Sequence, residues 1–275
     1  MAVSTLEHPS GAGAALDAYE AFAPYYDEFT AGYAHEAFLA SVEELARAHG
    51  LAGRRVLDVG CGTGKSSAPL LARGYEVSAC DISPAMVERA RERLRGAAER
   101  IFVADMRALP PRGDCDLVTC LDDAVNYLLT EEDLDAALRS FAGVLRPGGL
   151  AAFDANSLAT YRTVFTREEV AASDDTVFRL CGETGEDVEP GGLCTLTIEI
   201  LRQGADGRSR RTASRHVQRH HPRESIEAAC ERAGLRCVAV RGQLPGGRLV
   251  AGPDEDRHPK LLYLAQKPDA RGNRG

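Results

Sequence analysis

A chain of 275 residues, 44% of them hydrophobic, can build one large domain or a core with a smaller cap. No apolar run is long enough to span a membrane, and a net charge of −8 weighs against nucleic acid as a partner, which draws on a basic face. The eight cysteines are scattered, with no Cys-x-x-Cys pair, so they read as reduced and structural, and no metal is expected. Met1–Gly13 lacks the basic and apolar segments of a signal peptide, and a cytoplasmic location is expected.

In chain order, residues 1–13 are small and polar and are expected to form a disordered tail. Leu16, Tyr19, Phe22, Tyr25, Tyr26 and Phe29 then cluster, with Pro24 dividing them into two short helical pieces. His35–His49 carries Phe38, Leu39, Val42, Leu45 and Ala46 on one side and Glu43, Glu44 and Arg47 on the other, which predicts an amphipathic helix. Residues 14–50 thus form a helical cover.

Val56, Leu57 and Val59 make a short β-favouring run. Gly60, Gly62 and Gly64 follow at alternate positions, and Ser66–Arg73 reads as a helix stopped by Gly74. Strand, glycine-rich turn and helix open a doubly wound nucleotide-binding fold. Three ligand chemistries compete for the turn. A phosphate loop ends in Gly-Lys-Ser, as Gly64-Lys65-Ser66 does, but its first glycine would fall on Val59. A dinucleotide fingerprint would need a glycine at Lys65 or Ser67. Both bring the anionic Asp58 close to a polyanion. The remaining pattern, Asp58-x-Gly60-x-Gly62-x-Gly64, suits S-adenosyl-L-methionine, whose sulfonium and ammonium welcome a carboxylate.

That pattern is the glycine-loop signature of the class I S-adenosylmethionine-dependent methyltransferases, and the chain to about Asp154 resembles that family. The resemblance implies a doubly wound Rossmann-like α/β sheet, S-adenosyl-L-methionine as cofactor, S-adenosyl-L-homocysteine as product and no metal. The next strand, Glu76–Cys80, ends at Asp81, about twenty residues past the loop, where nucleotide folds place a ribose ligand. Ile82 follows, and Ser83-Pro84 starts a helix to Leu94. Strand Ile101–Ala104 ends in Asp105-Met106, which the resemblance assigns to adenine. Segment Tyr25–Phe29 resembles the part of these enzymes that folds over the cofactor. Tyr26, Asp58, Gly60, Cys61, Gly62, Gly64, Asp81, Ile82, Asp105, Met106, Leu121 and Asp122 are therefore the candidate cofactor residues.

Strand Cys115–Leu121 leads into Asp122–Leu128, which should face the transferable methyl because ligands sit at the carboxyl ends of parallel strands. Thr130 caps a helix Glu131–Leu145, and Arg146-Pro-Gly-Gly149 turns into strand Leu150–Phe153, followed by Asp154 and Asn156 at the same sheet edge. Beyond Thr166 the texture is an antiparallel meander: Thr176–Cys181, Leu193–Arg202 and Arg210–Arg219. Along the last of these, His216 and Gln218 share a face with His220, while His221 points the other way, which argues against a metal pair. A helix Pro222–Ala233 and strands Leu235–Arg241 and Leu261–Gln266 close the core.

The expected organisation is a tail (1–13), a helical cover (14–50), a cofactor-binding core (51–166), an antiparallel β cap (167–221), closing elements (222–267) and a second tail (268–275). The strand with His216 and the Asn-Tyr-Leu loop resemble a bacterial group of methyltransferases that act on amino sugars, glycopeptides and other natural products. That likeness implies a small-molecule acceptor methylated on nitrogen or oxygen. The candidate catalytic residues are His216, Tyr127 and Asp122; Tyr25, Asn126, Tyr127, Asp154, Asn156, His216 and Gln218 are candidates for the acceptor. A protein that binds the cofactor without methylating, and a nucleotide hydrolase built on Lys65, stand as alternatives. Monomer and homodimer are both open.

Overall fold

The computed structural model describes residues 11–269, apart from 174, 186 and 205. Residues 1–10 and 270–275 of the two expected tails lie outside the described residues. Gly11–Gly13 are not tail: they begin the first helix. The elements are α1 (Gly11–Phe22), α2 (Tyr26–Phe29), α3 (His35–Ala48), β1 (Arg55–Val59), α4 (Ser67–Ala72), β2 (Glu76–Asp81), α5 (Pro84–Arg93), β3 (Ile101–Val103) and β4 (Cys115–Cys120). There follow α6 (Glu131–Val144), β5 (Leu145–Asn156), α7 (Leu158–Tyr161), β6 (Glu168–Ser173), β7 (Thr176–Gly182), β8 (Leu193–Gln203), β9 (Ser209–Arg219), α8 (Arg223–Arg232), β10 (Arg236–Gln243), β11 (Leu249–Val250) and β12 (Lys260–Gln266).

Eight strands form one sheet in the order β11-β10-β12-β5-β4-β1-β2-β3. β1 pairs in parallel with β2 on one side and β4 on the other, so the chain reverses direction of build at the carboxyl end of β1, where the glycine loop lies. β12 enters antiparallel between β5 and β10. The middle strands are apolar on both faces because helices cover both. On one face Leu134, Leu138 and Phe141 of α6 and Ile226 of α8 meet Leu57, Val118 and Phe153. On the other, Phe38, Leu39, Val42 and Ala46 of α3 meet Val56, Leu117 and Leu262.

β5 starts five residues earlier than its sequence suggests. Cys115 pairs with Leu145 and Leu117 with Leu150, so two steps along β4 are matched by five along β5. Pro147 and Gly148 (φ 75°) absorb the surplus as a bulge, not as a turn outside the sheet.

The second sheet, β6-β7-β8-β9, is wholly antiparallel. Its apolar face, with Phe178, Ile198 and Ile200, packs on Phe22 of α1 and on Tyr161 and Phe165. β6 is an additional strand that Glu168–Ser173 does not announce: every residue in it is exposed, so no alternation of apolar and polar positions marks it. Among the described residues no helix is long and apolar enough to cross a membrane.

Candidate active site

Two adjoining cavities open at the carboxyl end of the parallel sheet. The smaller is lined by Gly60 and Gly62 of the loop after β1, Asp81 and Ile82 after β2, Asp105 and Met106 after β3, and Leu121 and Asp122 after β4. Gly60 and Gly62 hold φ of 66° and 52°, and a Cβ on Gly62 would touch the Tyr26 ring at 3.5 Å, so the loop is bare where α2 lies over it. Asp81 spans the cleft floor: its Oδ2 accepts from the Gly62 N–H and its Oδ1 from the Ser83 N–H, both at 2.9 Å. Burial pushes its pKa up to about 6 against the pull of those N–H groups. Burial acts the same way on Asp105, but Arg107 prevails: hydrogen bonds from its Nη2 (2.7 Å) and main-chain N–H (2.9 Å) hold that carboxyl below its usual range.

This cleft fits S-adenosyl-L-methionine by its own chemistry. It has a glycine floor that a Cβ would crowd, a buried carboxylate at the end of β2 and a second carboxylate at the end of β3. Among the described residues the one basic side chain that lines it, Arg107, is paired with Asp105 and Asp133, which leaves no free cation for a polyphosphate, and Lys65 is spent elsewhere. Its Nζ donates to the Asp27 carbonyl (3.0 Å) and Thr30 Oγ1 (2.7 Å), while Thr63 Oγ1 donates to Asp27 Oδ1 (2.6 Å), so the end of the loop clamps α2.

Three expected cofactor residues stand behind the cavity wall instead of in it. Asp58 is buried and takes three hydroxyls, from Ser66 (2.7 Å), Ser67 (2.5 Å) and Thr119 (2.8 Å), so it shapes the loop. Cys61 packs with Ala79, Val87 and Leu94. A Cβ on Gly64 would come within 2.9 Å of Leu94 Cδ1, so this glycine serves packing.

The larger cavity holds about 490 Å³ and lies under the second sheet and the N-terminal helices. Tyr19, Tyr26, Asp122 and Tyr127 line both cavities and form the partition. The rest of its wall is aromatic and aliphatic (Phe22, Phe29, Phe165, Ile198), with a polar end at His35, Asp123, Asn156, Gln218, Gln243 and Lys260.

At that end, Lys260 Nζ sits 2.6 Å from Asp123, 3.4 Å from Asp154 and 3.7 Å from Asp122. Burial opposes its charge, yet three carboxylates raise the ammonium pKa well above normal. Burial lifts Asp154 to about 7 despite Lys260, with Asp122 and Asp123 adding to the rise. Asp122 is also desolvated, but His35 and Lys260 pull its carboxyl below the ordinary value. Asp122 and Asp123 both adopt left-handed backbone angles (φ 61° and 57°), a strained pair that turns both carboxylates toward the lysine.

His216 is buried, and both ring nitrogens are engaged. Ser214 Oγ donates to the Ala18 carbonyl (2.8 Å), so it accepts from His216 Nε2 (2.8 Å). His216 Nδ1 is then unprotonated and accepts from Tyr127 Oη (2.8 Å), which itself accepts from Tyr19 Oη (3.1 Å). Burial pushes the imidazole down to about 4. The expected base is therefore a neutral link that aims Tyr127.

Asn126, expected at the acceptor, is wholly enclosed: it donates to the Arg219 carbonyl (2.9 Å) and accepts from the Asn156 N–H (2.8 Å), pinning the loop to β5 and β9. Asp154 accepts from the Asp123 N–H (3.1 Å) and lines neither cavity. Tyr25 also lies outside both, with its hydroxyl 3.4 Å from Thr212 Oγ1. Asn156 and Gln218 do reach the larger cavity, joined by a 3.0 Å hydrogen bond. His220 accepts from the Gly191 N–H and His221 donates to the Leu128 carbonyl, so the two rings part. Among the described residues no three His, Cys, Asp or Glu side chains group to hold a metal ion.

Tyr19, His35, Gln243 and Lys260 belong to the site without having been singled out from sequence. Tyr19 carried a signal, since it stands one turn before Phe22 in the aromatic cluster that ends α1. The others come from segments far from the glycine loop, and only the fold brings them there.

Residues 56–149 match the methyltransferase domain family. The putative methyltransferase YqeM of Bacillus subtilis (strain 168) is 27% identical over 251 residues, covering 90% of this chain and 97% of that protein. The dTDP-3-amino-3,4,6-trideoxy-α-D-glucopyranose N,N-dimethyltransferase of Streptomyces venezuelae is 27% identical, covering 84% and 96%. Among solved structures, a S-adenosylmethionine-dependent methyltransferase from Clostridium acetobutylicum ATCC 824 superposes with a TM-score of 0.76 at 22% identity, covering 91% and 99%. The stretch that carries most of the smaller cavity's lining thus matches a methyltransferase domain, and the chain as a whole is similar to S-adenosylmethionine-dependent methyltransferases.

Proposed function

We propose that this enzyme methylates a small polar acceptor held in the larger cavity, on an amine nitrogen or, as the second choice, on a hydroxyl oxygen. The observation that carries this reading is the shared partition. A methyl group leaves one ligand and joins another only where the two meet, and Tyr19, Tyr26, Asp122 and Tyr127 are the residues that border both spaces. When bound, S-adenosyl-L-methionine supplies an electrophilic methyl on a sulfonium.

In this reading Asp81 accepts the ribose hydroxyls, Asp105 and Met106 hold the adenine, and Gly60 and Gly62 let the ligand approach the main chain. Tyr26 closes the cleft from above, and the aromatic partition excludes water from the transfer line. The acidic surplus of Asp122 and Asp123 over Lys260 favours an acceptor carrying an amine. The amino-sugar N,N-dimethyltransferase among the relatives supports the same acceptor class, and the setting proposed with it is natural-product biosynthesis. The β6–β9 sheet serves as the acceptor cap. A small molecule suits the site better than nucleic acid, because the cavity is lined by aromatic side chains and edged with carboxylates, which repel a phosphate backbone.

The test is calorimetric titration with S-adenosyl-L-methionine, S-adenosyl-L-homocysteine and ATP. A panel of amino sugars and amino alcohols is then assayed for S-adenosyl-L-homocysteine release, alongside the corresponding polyols. Micromolar binding of the two sulfur ligands, none of ATP, and turnover confined to the amine panel are expected. Turnover of polyols alone would move the acceptor atom to oxygen, and no binding of the sulfur ligands would overturn the reading.

A further inference from the structure

The base that the sequence places at His216 has to be sought elsewhere, since neither nitrogen of that ring is free. Among the described residues one other imidazole reaches the larger cavity. His35, at the start of α3, lies with Nδ1 3.2 Å from Asp122 Oδ2, and its side chain is 14% exposed. Its Nε2 is buried and has no hydrogen-bond partner. His35 lines the larger cavity, and Asp122 lines both.

A carboxylate on one ring nitrogen holds the proton there and leaves the opposite nitrogen as a bare lone pair. From this geometry we propose that His35 is the catalytic base for the acceptor, with Asp122 as the positioning residue that fixes its tautomer and stabilises the imidazolium. The inference rests on the methyltransferase reading above. As the acceptor nitrogen or oxygen bonds to the methyl carbon, the carbon–sulfur pair goes to sulfur. The acceptor's N–H or O–H proton passes to His35 Nε2 and on to solvent.

The charged and titratable groups around the ring support that assignment. Asp122 and Asp123 come from the loop after β4, Lys260 from β12, and Tyr33 precedes the ring on its own segment, with centroids 5.8 Å apart. Lys260 is tied to the same carboxylates, so it keeps Asp122 ionised and does not compete for the acceptor proton. Tyr33 is pushed up by burial and stays protonated.

The experiment uses the full chain saturated with S-adenosyl-L-homocysteine, the wild type against His35→Gln and Asp122→Asn. Long-range ¹H–¹⁵N spectra of the imidazoles report tautomers without any acceptor, and the resonance lost in His35→Gln assigns the ring. Expected is a His35 with Nδ1 protonated and Nε2 bare, converted to a tautomer mixture in Asp122→Asn. With the best acceptor of the panel, His35→Gln should lower kcat about a hundredfold, leave KM nearly unchanged and abolish the acid limb of the pH profile. A His35 protonated on Nε2 in the wild type would overturn the proposal, as would an unaltered kcat and pH profile in His35→Gln. Calorimetry separates the two readings: wild type that fails to bind S-adenosyl-L-homocysteine sinks the methyltransferase reading, whereas tight binding with the wrong tautomer sinks only the base.

Discussion

Asp81 shows how one buried carboxylate links proton and cofactor. Its free-state pKa of about 6 means that below this pH the cleft holds a proton. Ribose hydroxyls donate best to the ionised form, so binding must expel that proton, and affinity falls as pH drops below about 6, by up to tenfold per unit. Titrating S-adenosyl-L-homocysteine at pH 7.5 and 5 checks this, and Asp81→Asn should flatten the dependence. Asp81→Ala should weaken binding about tenfold or more at neutral pH by stranding hydroxyls. Asp81 and Asp105 were readable in the sequence because each closes a strand beside a recognisable loop. Asp58 and Asn126 misled for the opposite reason: a polar residue near a ligand loop looks the same whether it faces the ligand or holds the loop. Lys260 and His35 had no local signal, since their meaning lies in contacts with a segment more than eighty residues away.

At the scale of elements, the N-terminal helices are fastened to both sheets by polar side chains. α1 is bound to β9 through the Ala18 carbonyl, Ser214 and His216, and α2 to the glycine loop through Lys65, Thr63 and Asp27. Ser214→Ala leaves a buried imidazole N–H without a partner. It should destabilise the protein by about 1–3 kcal/mol in denaturant titration and raise amide exchange in α1. Lys65→Met should leave ATP without effect and weaken S-adenosyl-L-homocysteine several-fold by loosening the segment that carries Tyr26; equal affinity in the mutant would remove the clamp. The helices and central strands followed from periodicity, Pro24 and the Ser83 and Thr130 caps, both of which do bond their helix N–H groups. β5 and β6 did not, because a bulge and an all-exposed edge strand each break the pattern that marks a strand.

Taken whole, the molecule keeps its sulfur chemistry inside. All eight cysteines are free, six of them buried, with Cys181 and Cys237 partly exposed. A thiol reagent should modify about two cysteines in the native protein and all eight after denaturation, and the melting temperature should be indifferent to reductant. Fast labelling of four or more would contradict the packing. The division of the two cavities has a further consequence. The loops that line the smaller one lie almost wholly between Gly60 and Leu128, inside the matched domain, while the larger one is walled mainly by residues 19–38 and 156–260. Heredity can therefore act on them separately. A lineage can redraw its acceptor by drift in the flanking stretches while the donor machinery is held constant, and a chimera that exchanges those stretches should inherit one parent's appetite and the other's fuel.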